Sequence, residues 1–412
     1  MRQLRIILAA LVLSMAAAKA PAQTLTPAEE DAQKDFVEQK EAKSRLALYG
    51  WVETGFTGNL DAPKDHQNFG RLFDDRSNEL VLNQAVITAE RALDPKVGFD
   101  WGFKLQLMFG TDARYIHSLG LLDRTRRSSL YQPDILEAYL GLHFPIFTEG
   151  GVDMKLSKFV TLEGAETIDP RTNPFYSHTY IFNFAIPFNH TGALFTLYAT
   201  KWLNLVGGVT RGVNTSIDDN NDAPAFHGGI GLHFNEEKFV VSAATHIGPE
   251  TPGNDSDLRY LNTITVTWKI TDKLTSITDL NYTHDDAADA TAYGMAQYLT
   301  YTINDKITAK IRGEIWRDAQ GFFAAQFADP HDPMRALAGE PTIDPRTVGG
   351  GRTTYGALTL GLDIKPPVSK PFTGLTIRPE LRIDHSLSDT RPFNDSSNDT
   401  VFTAALDVIV TF

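Results

Sequence analysis

Apolar and polar residues alternate along the stretch GFDWGFKLQLMF, residues 98–109. A period of two is typical of a β-strand with one apolar and one polar face. Only Met108 breaks this pattern. In a soluble sandwich the apolar face packs inward, whereas in a membrane barrel it contacts lipid and the polar face lines a lumen. This segment alone does not distinguish these two arrangements, so the rest of the sequence is needed. The apolar face holds Phe99, Trp101, Phe103, Leu105, Leu107 and Phe109.

Similar segments recur from Leu46 to the last residue and predict about sixteen β-strands. Each is close to the length that crosses a bilayer at a tilt. The predicted strands are 46–57, 80–91, 97–109, 134–144, 151–158, 192–200, 203–212, 226–234, 238–247, 259–270, 274–283, 292–303, 307–317, 353–364, 374–384 and 400–412.

The connections between these strands alternate in length. Such a rhythm is typical of an up-and-down antiparallel barrel with short periplasmic turns and long extracellular loops, whereas a soluble sandwich has no reason to gather its long loops at one end. The short connections are 94–96, 145–150, 201–204, 235–238, 271–273, 304–306 and 366–374. The long ones are 58–79, 110–133, 159–191, 213–225, 248–258, 284–291, 318–352 and 385–399.

The first 45 residues differ from the rest and predict export. Residues 1–22 combine the cations Arg2 and Arg5 with an apolar run and small residues suited to cleavage, as a secretory signal peptide does. The alternative is a buried N-terminal helix. Residues 23–45 are polar and predict a short periplasmic segment, either a solvated helix or a tail. The domain organisation is therefore a signal peptide, this segment, and an outer-membrane barrel over 46–412.

Composition and charge narrow the function classes. The formal charge is −13, which argues against a role in nucleic-acid binding. The sequence has no cysteine, so neither disulfides nor thiolate metal sites can form. No segment after the signal is apolar for long enough to cross a bilayer as a helix. A membrane protein of this sequence would have to be a barrel.

The final segment, VFTAALDVIVTF, supports the membrane interpretation. Its alternate residues are apolar and it ends on phenylalanine, which is similar to the terminal strand of outer-membrane barrels. With the export signal and the loop rhythm, this indicates that the apolar face of 98–109 contacts lipid. The residues on the apolar face are Phe402, Ala404, Leu406, Val408, Val410 and Phe412.

Several stretches resemble the OmpL-like β-barrel porin family, in the same order and over most of the exported chain. They are LYGWVETGF (48–56), LNQAVITAER (82–91), DWGFKLQLMFGTDARY (100–115), NPFYSHTYIFNFAIPFNHTG (173–192) and VTRGVN followed by DDNNDAPAF (209–226). The resemblance implies a porin in the outer membrane of a Gram-negative bacterium. It does not imply which solute passes, because the solutes of that family are poorly defined.

Strand alternation assigns the residues that face the lumen, where charge and bore set selectivity. The predicted strands 307–317 and 374–384 lie near each other and should bring four cations into one basic wall. Loop 159–191 carries three acids and, folded into the lumen, would set them near that wall and create a transverse field. The alternative is a wide lumen with the loop outside. The pore-lining candidates are Lys310, Arg312, Glu314, Arg378, Glu380, Arg382, Lys104, Lys155, Glu163, Glu166 and Asp169.

Other clusters are weaker candidates. The stretch 218–222 (DDNND) has oxygen ligands that calcium accepts, and His284 is followed by two aspartates, but solvated loops explain both. The stretch 124–127 (RTRR) is a candidate for contact with lipopolysaccharide. His117 beside Ser118 is the nearest approach to a catalytic pair, and spacing does not select it.

We therefore predict a porin for passive diffusion of small hydrophilic solutes and ions, with no cofactor, no metal site and no nucleic-acid partner. The alternatives are a barrel enzyme of the phospholipase or protease type, and an adhesive or structural barrel with a blocked lumen. The expected partners are outer-membrane lipids, lipopolysaccharide and the solutes themselves. A homotrimer is expected only by analogy with other porins.

Overall fold

Sixteen antiparallel strands form one closed barrel in the computed structural model, which describes residues 45–123, 129–325 and 351–412. The strands are β1 Leu46–Asn59, β2 Leu80–Arg91, β3 Asp100–Gly110, β4 Gln132–Phe144, β5 Val152–Val160, β6 Asn189–Thr200, β7 Leu203–Thr210, β8 Ala225–Phe234, β9 Phe239–Pro249, β10 Leu258–Lys269, β11 Leu274–Asp285, β12 Ala290–Asn304, β13 Ile307–Asp318, β14 Thr353–Ile364, β15 Gly374–Ser386 and β16 Thr400–Thr411.

Every strand pairs with its neighbours in sequence, and β1 pairs with β16 to close the sheet. The closing register runs from Trp51 opposite Thr411 to Asn59 opposite Thr403. Closure leaves no open sheet edge, which is the condition that lets strands cross hydrocarbon with their backbone groups paired. The predicted fold class is therefore confirmed, and each predicted strand overlaps an observed one.

The outward face is apolar, as the alternation along β3 predicts. Phe99 and Trp101 are 59% and 48% exposed, whereas Asp100 between them is buried inside the barrel. Met108, the residue that breaks the alternation, also faces inward and is buried in the core. An apolar inward residue indicates that this part of the lumen is not simply filled with water.

The inside of the barrel holds a hydrophobic core. Inward aromatic side chains such as Trp51 of β1 and Trp316 of β13 are fully buried there. They pack with residues of two short helices that lie in loops, α1 (Ala113–Ile116) and α2 (Tyr180–Phe184). Among the described residues, no helix has the length and apolar character needed to span a bilayer.

The loops alternate in length around the barrel, with one departure from the prediction. The connection between β11 and β12 was expected to be long, over 284–291, but the two strands continue toward each other and leave only residues 286–289. The predicted signal peptide (1–22), nearly all of the polar segment (23–45) and the basic stretch 124–127 lie outside the described residues. These three interpretations stay predictions.

Candidate functional site

The connection between β5 and β6, residues 161–188, lies inside the barrel and is called the inner loop here. Its first residues follow the inner wall from strand to strand. The Gly164 amide donates to Thr263 Oγ1 of β10 at 3.2 Å, and the Ala165 amide donates to Asp279 Oδ2 of β11 at 3.0 Å. The Tyr298 hydroxyl of β12 then donates to Glu166 Oε1 at 2.9 Å. The loop is therefore bound to the wall through side chains of three adjacent strands.

Helix α2 anchors the second half of the inner loop. Thr179 caps it, since its hydroxyl accepts a hydrogen bond from the Phe182 amide at 3.1 Å. The Tyr180 ring stacks on Tyr355 of β14, with ring centres 4.7 Å apart, and on Trp316 of β13 at 6.0 Å. Stacked aromatic pairs of this kind add to the stabilisation from burial alone. The inner loop is thus held by packing as well as by hydrogen bonds.

The four cations of the predicted basic wall, Lys310, Arg312, Arg378 and Arg382, are all buried on the inward faces of β13 and β15. Thr359 of β14 is the register partner of both Arg312 and Arg382, so those two arginines flank it in one row across the three strands. The structure therefore brings these cations to one side of the lumen.

Arg312 joins the wall to the inner loop. Its Nη1 donates to Glu166 Oε1 at 2.8 Å and to the Ser177 carbonyl at 2.6 Å. Burial by itself would raise the pKa of Glu166. The Arg312 guanidinium and the hydrogen bonds from His178 and the Thr179 amide outweigh burial and lower this pKa to about 2. Glu166 is accordingly a carboxylate at neutral pH and a charge partner of the wall.

Arg378 and Arg382 also donate hydrogen bonds to backbone carbonyls of the inner loop. Arg378 donates to the carbonyls of Pro170 and Asn173, both at 2.8 Å, and forms an ion pair with Asp407 of β16 at 2.6 Å. Arg382 donates to the His178 carbonyl at 2.6 Å.

Each wall cation has a carboxylate partner on the wall or in the inner loop. Arg382 lies 2.6 Å from Asp384 and 3.0 Å from Glu314, and Lys310 pairs with Asp363 of β14. The charges of the wall are therefore compensated at close range.

Glu314 and Glu380, the two acids predicted to face the lumen beside these cations, bind the inner loop through its amides. Glu314 Oε2 accepts from the Tyr180 amide at 2.8 Å. Glu380 Oε2 accepts from the amides of Tyr176 and Ser177 at 3.0 and 3.1 Å. The inward faces of β13 and β15 therefore bind the inner loop in two ways. Their arginines donate hydrogen bonds to loop carbonyls, and their two glutamates accept hydrogen bonds from loop amides.

The other two loop acids do not pair with the basic wall. Asp169 Oδ2 lies 2.6 Å from Arg171 within the inner loop. Glu163 is buried on the opposite flank, 4.0 Å from His227 of β8. Burial, reinforced by the charge of Asp279, raises the pKa of Glu163 well above the usual value for glutamate. Of the three predicted acids, only Glu166 reaches an arginine of the wall.

Lys104 of β3 and Lys155 of β5 lie on strands away from the basic wall, four and six strands from β15 around the closed barrel. Lys104 of β3 forms an ion pair with Glu137 of β4. The Lys155 ammonium lies 4.9 Å from the centre of the Tyr139 ring. These two cations are in partly buried positions and belong to a separate cluster.

Several residues of this site were not among the predicted ones. Asp407 and Glu53 accept hydrogen bonds from Arg378. The alternation of apolar and polar residues along β16 and β1 would have placed both on the inward face. The aromatic residues of the inner loop have no periodic pattern, so their packing inside the barrel had no sequence signal.

The weaker candidates have ordinary partners in the structure. The Ser118 hydroxyl donates to Asn189 Oδ1 at 2.5 Å, while His117 Nε2 lies 2.8 Å from Asp123, so these two residues do not form a nucleophile–base pair with each other. In the stretch 218–222, Asp219 pairs with Arg211 at 3.3 Å. His284 lies 3.2 Å from Asp286.

A comparison with protein families gives one match of nearly full length. The profile of the family described as "Putative beta-barrel porin-2, OmpL-like" matches residues 45–412. No curated protein sequence matches the chain.

Solved structures of outer-membrane channels share the fold. An anion-selective porin from Comamonas acidovorans has a TM-score of 0.54 and 10% identity, covering 89% of this chain and 99% of the porin. The outer membrane channel DcaP of Acinetobacter baumannii has a TM-score of 0.53 and 12% identity over 89% and 97% of the two chains. Salmonella typhi OmpF, in complex with daunomycin, has a TM-score of 0.54 and 11% identity over 89% and 97%. At such identities the likeness shows the fold alone.

Proposed function

Since this chain belongs to the OmpL-like β-barrel porin family, we propose that it forms a water-filled channel for the passive diffusion of small hydrophilic solutes and ions. The protein lies in the outer membrane of a Gram-negative bacterium and has the porin fold. The observation that carries the proposal is a closed barrel whose outward face is apolar and whose inward face, besides the hydrophobic core, carries polar and charged side chains.

Inward residues near the short-turn end of the barrel support access of water to the lumen. Thr265 and Thr267 of β10 and Thr275 of β11 are partly exposed, whereas inward residues further along the same strands, such as Thr263 and Asp279, are buried. Solvent therefore reaches more of the inner wall at the short-turn end than at the level at which the inner loop meets the wall.

We propose that this level is the constriction of the channel. Solutes would pass the inner loop in the electric field of the basic wall and its carboxylate partners, whose own side chains are buried. Such an arrangement orients dipolar solutes and discriminates weakly by net charge, because each positive charge has a negative charge beside it. In this proposal Lys104 and Lys155 add positive charge elsewhere along the wall of the same lumen, and Glu163 and Asp169 are acids of the constriction.

The outer surface of the barrel is proposed to contact outer-membrane lipids and lipopolysaccharide, and assembly into a homotrimer is the oligomeric state to test. The outward faces of the strands carry the large apolar side chains that hydrocarbon solvates, such as Trp101, Trp268 and Leu381. Chemical crosslinking of the detergent-solubilised protein distinguishes a monomer from a trimer.

Planar-bilayer recording with a salt gradient tests the channel and its charge preference together. We expect discrete conductance steps and a small reversal potential for the unmodified protein. Arg312→Glu and Arg378→Glu should each shift the reversal potential toward cation preference, whereas Lys201→Glu, an exposed residue of the turn after β6, should not. Absence of conductance would reject the channel, and an unchanged reversal potential in both arginine variants would reject the constriction. A series of solutes of increasing size in liposome swelling then gives the bore.

A further inference from the structure

We propose that His190, His227 and His246 form a buried binding site for a divalent transition-metal ion, with zinc as the expected ion. These residues lie on the inward faces of β6, β8 and β9, and each is fully buried. One nitrogen from each ring lies within 4.8 Å of one nitrogen from each of the others. The cluster is separate from the basic wall.

The spacing of the three rings suits a single ion. Ring centres are 4.1 Å apart for His190 and His227, 4.9 Å for His190 and His246, and 5.9 Å for His227 and His246. Three imidazoles around one tetrahedral zinc have ring centres about 5 Å apart, since each Zn–N bond is ~2.0–2.1 Å. Binding of one ion would require the rings to rotate so that the three nitrogens, which lie within 4.8 Å of one another, reach bonding distance.

Two of the histidines have their second nitrogen fixed in the way that metal ligands require. His190 Nδ1 donates to the Gly212 carbonyl at 3.0 Å, and His246 Nε2 donates to Glu250 Oε1 at 2.7 Å. These bonds place the protons on Nδ1 and Nε2 respectively. The lone pairs of His190 Nε2 and His246 Nδ1 remain available, and neither atom has a partner among the described residues. A carbonyl or carboxylate on the far nitrogen is the usual outer support of a metal-bound histidine.

The third histidine connects the site to the inner loop. The Leu162 amide donates to His227 Nε2 at 3.2 Å, and Glu163 Oε1 lies 4.0 Å from His227 Nδ1. Both oxygens of the buried Glu163 carboxylate lack a hydrogen-bond partner within the part of the chain that the structure describes. Binding through His227 Nδ1 requires the ring proton to shift from Nδ1 to Nε2, which ends the hydrogen bond from the Leu162 amide, and Glu163 is the nearest carboxylate to complete the coordination.

The chemistry of the site favours a transition metal over calcium or magnesium. Neutral imidazole nitrogens suit zinc, copper, nickel and cobalt, whereas calcium and magnesium take oxygen ligands. Without a cation, the lone pairs of His190 Nε2 and His246 Nδ1 have no hydrogen-bond donor within the described residues, and such unpaired polar atoms are costly inside a protein. A bound ion would connect β6, β8 and β9 and fix the start of the inner loop.

Metal analysis of the full protein, purified in detergent from outer membranes, tests this site. After dialysis against a chelator, the protein is titrated with Zn²⁺ alone, and with Co²⁺ to read the visible absorption of a tetrahedral nitrogen site. We expect one equivalent of Zn²⁺ and the Co²⁺ spectrum in the unmodified protein. The proposal would be overturned if the protein bound no Zn²⁺, or if it bound Co²⁺ without the tetrahedral spectrum.

Matched variants assign the ligands. His190→Gln and His246→Gln should each weaken Zn²⁺ binding at least about 100-fold, and Glu163→Gln should weaken it by about 10-fold. His143→Gln is the control, because His143 is also buried but contacts Asp153 at 2.6 Å, away from the cluster. It should bind like the unmodified protein. Equal binding in His246→Gln and the control would overturn the assignment. Folding of each variant is judged by heat-modifiable migration on gels. If a histidine variant does not fold, the test is the comparison of Zn²⁺ binding between the unmodified protein and Glu163→Gln.

Discussion

Arg312 Nη1 lies 2.8 Å from Glu166 Oε1, and this buried ion pair links β13 to the inner loop. Both side chains are almost completely shielded from solvent. Removing one partner would leave the other charge buried without compensation, which costs about 3–5 kcal/mol in other proteins. The pair is therefore a position at which the attachment of the inner loop can be tested directly.

We expect Arg312→Gln and Glu166→Gln each to lower the free energy of unfolding by about 3–5 kcal/mol. Each change should also raise single-channel conductance, because the inner loop loses a contact that holds it to the wall. The double variant should lose less than the sum of the two, with a coupling of about 0.5–3 kcal/mol. Urea titration followed by tryptophan fluorescence measures the stability, and bilayer recording measures the conductance.

Arg317→Gln is the matched control for this cycle. Arg317 lies on the same strand and donates to Thr354 Oγ1 at 2.9 Å and to Ser388 Oγ at 3.2 Å, with no inner-loop partner among its hydrogen bonds in the described part of the chain. Its replacement should leave conductance unchanged. Additive effects of Arg312→Gln and Glu166→Gln would contradict the direct pairing.

The low pKa of Glu166 predicts a dependence of stability on pH. A carboxylate whose pKa is about 2 in the folded protein, below its ordinary value near 4.5, stabilises the fold above pH 4.5. That contribution, about 3 kcal/mol, should be lost as the pH falls from about 4.5 toward 2. Urea unfolding at a series of pH values from 6 to about 2.5 measures it. Glu166→Gln should show a smaller loss over this range, and identical slopes for the two proteins would refute the assignment.

The strands of this barrel were predictable because alternation is a local signal. The predicted limits 80–91 and 353–364 coincide with β2 and β14, and the cations of β13 and β15 lie on the inward side as the alternation requires. The predicted length of the connection between β11 and β12 was wrong, because neither the alternation nor the turn residues mark the end of pairing where strands continue into a tight turn.

The site was less predictable than the fold. The length and acids of loop 159–191 indicated that it could enter the lumen, and Glu166 does meet Arg312. The packing of Tyr180 against Trp316 and Tyr355 depends on contacts between residues far apart in sequence, for which a single sequence holds no signal. The three clustered histidines come from three different strands, and no motif spacing connects them. Roles of the predicted pore-lining residues in conduction stay predictions.

A close approach between β1 and the inner loop gives a test that changes no charge. A Cβ atom added at Gly55 would lie 2.2 Å from the Tyr176 ring of the inner loop, which is closer than atoms can approach. Gly55→Ala should therefore push the inner loop away from β1 and lower the free energy of unfolding by about 1–3 kcal/mol, as overpacking does in other cores. Gly313→Ala is the control, because a Cβ atom there meets nothing within 4 Å.

Both glycine variants are recorded in planar bilayers as well as unfolded in urea. Gly55→Ala should change single-channel conductance, since Tyr176 is part of the loop that we propose as the constriction, while Gly313→Ala should conduct like the unmodified protein. The loss of stability tests the contact, and the change in conductance tests its place in the channel. A destabilised Gly55→Ala variant with unaltered conductance would mean that the inner loop packs against β1 as described but does not limit the flow of ions.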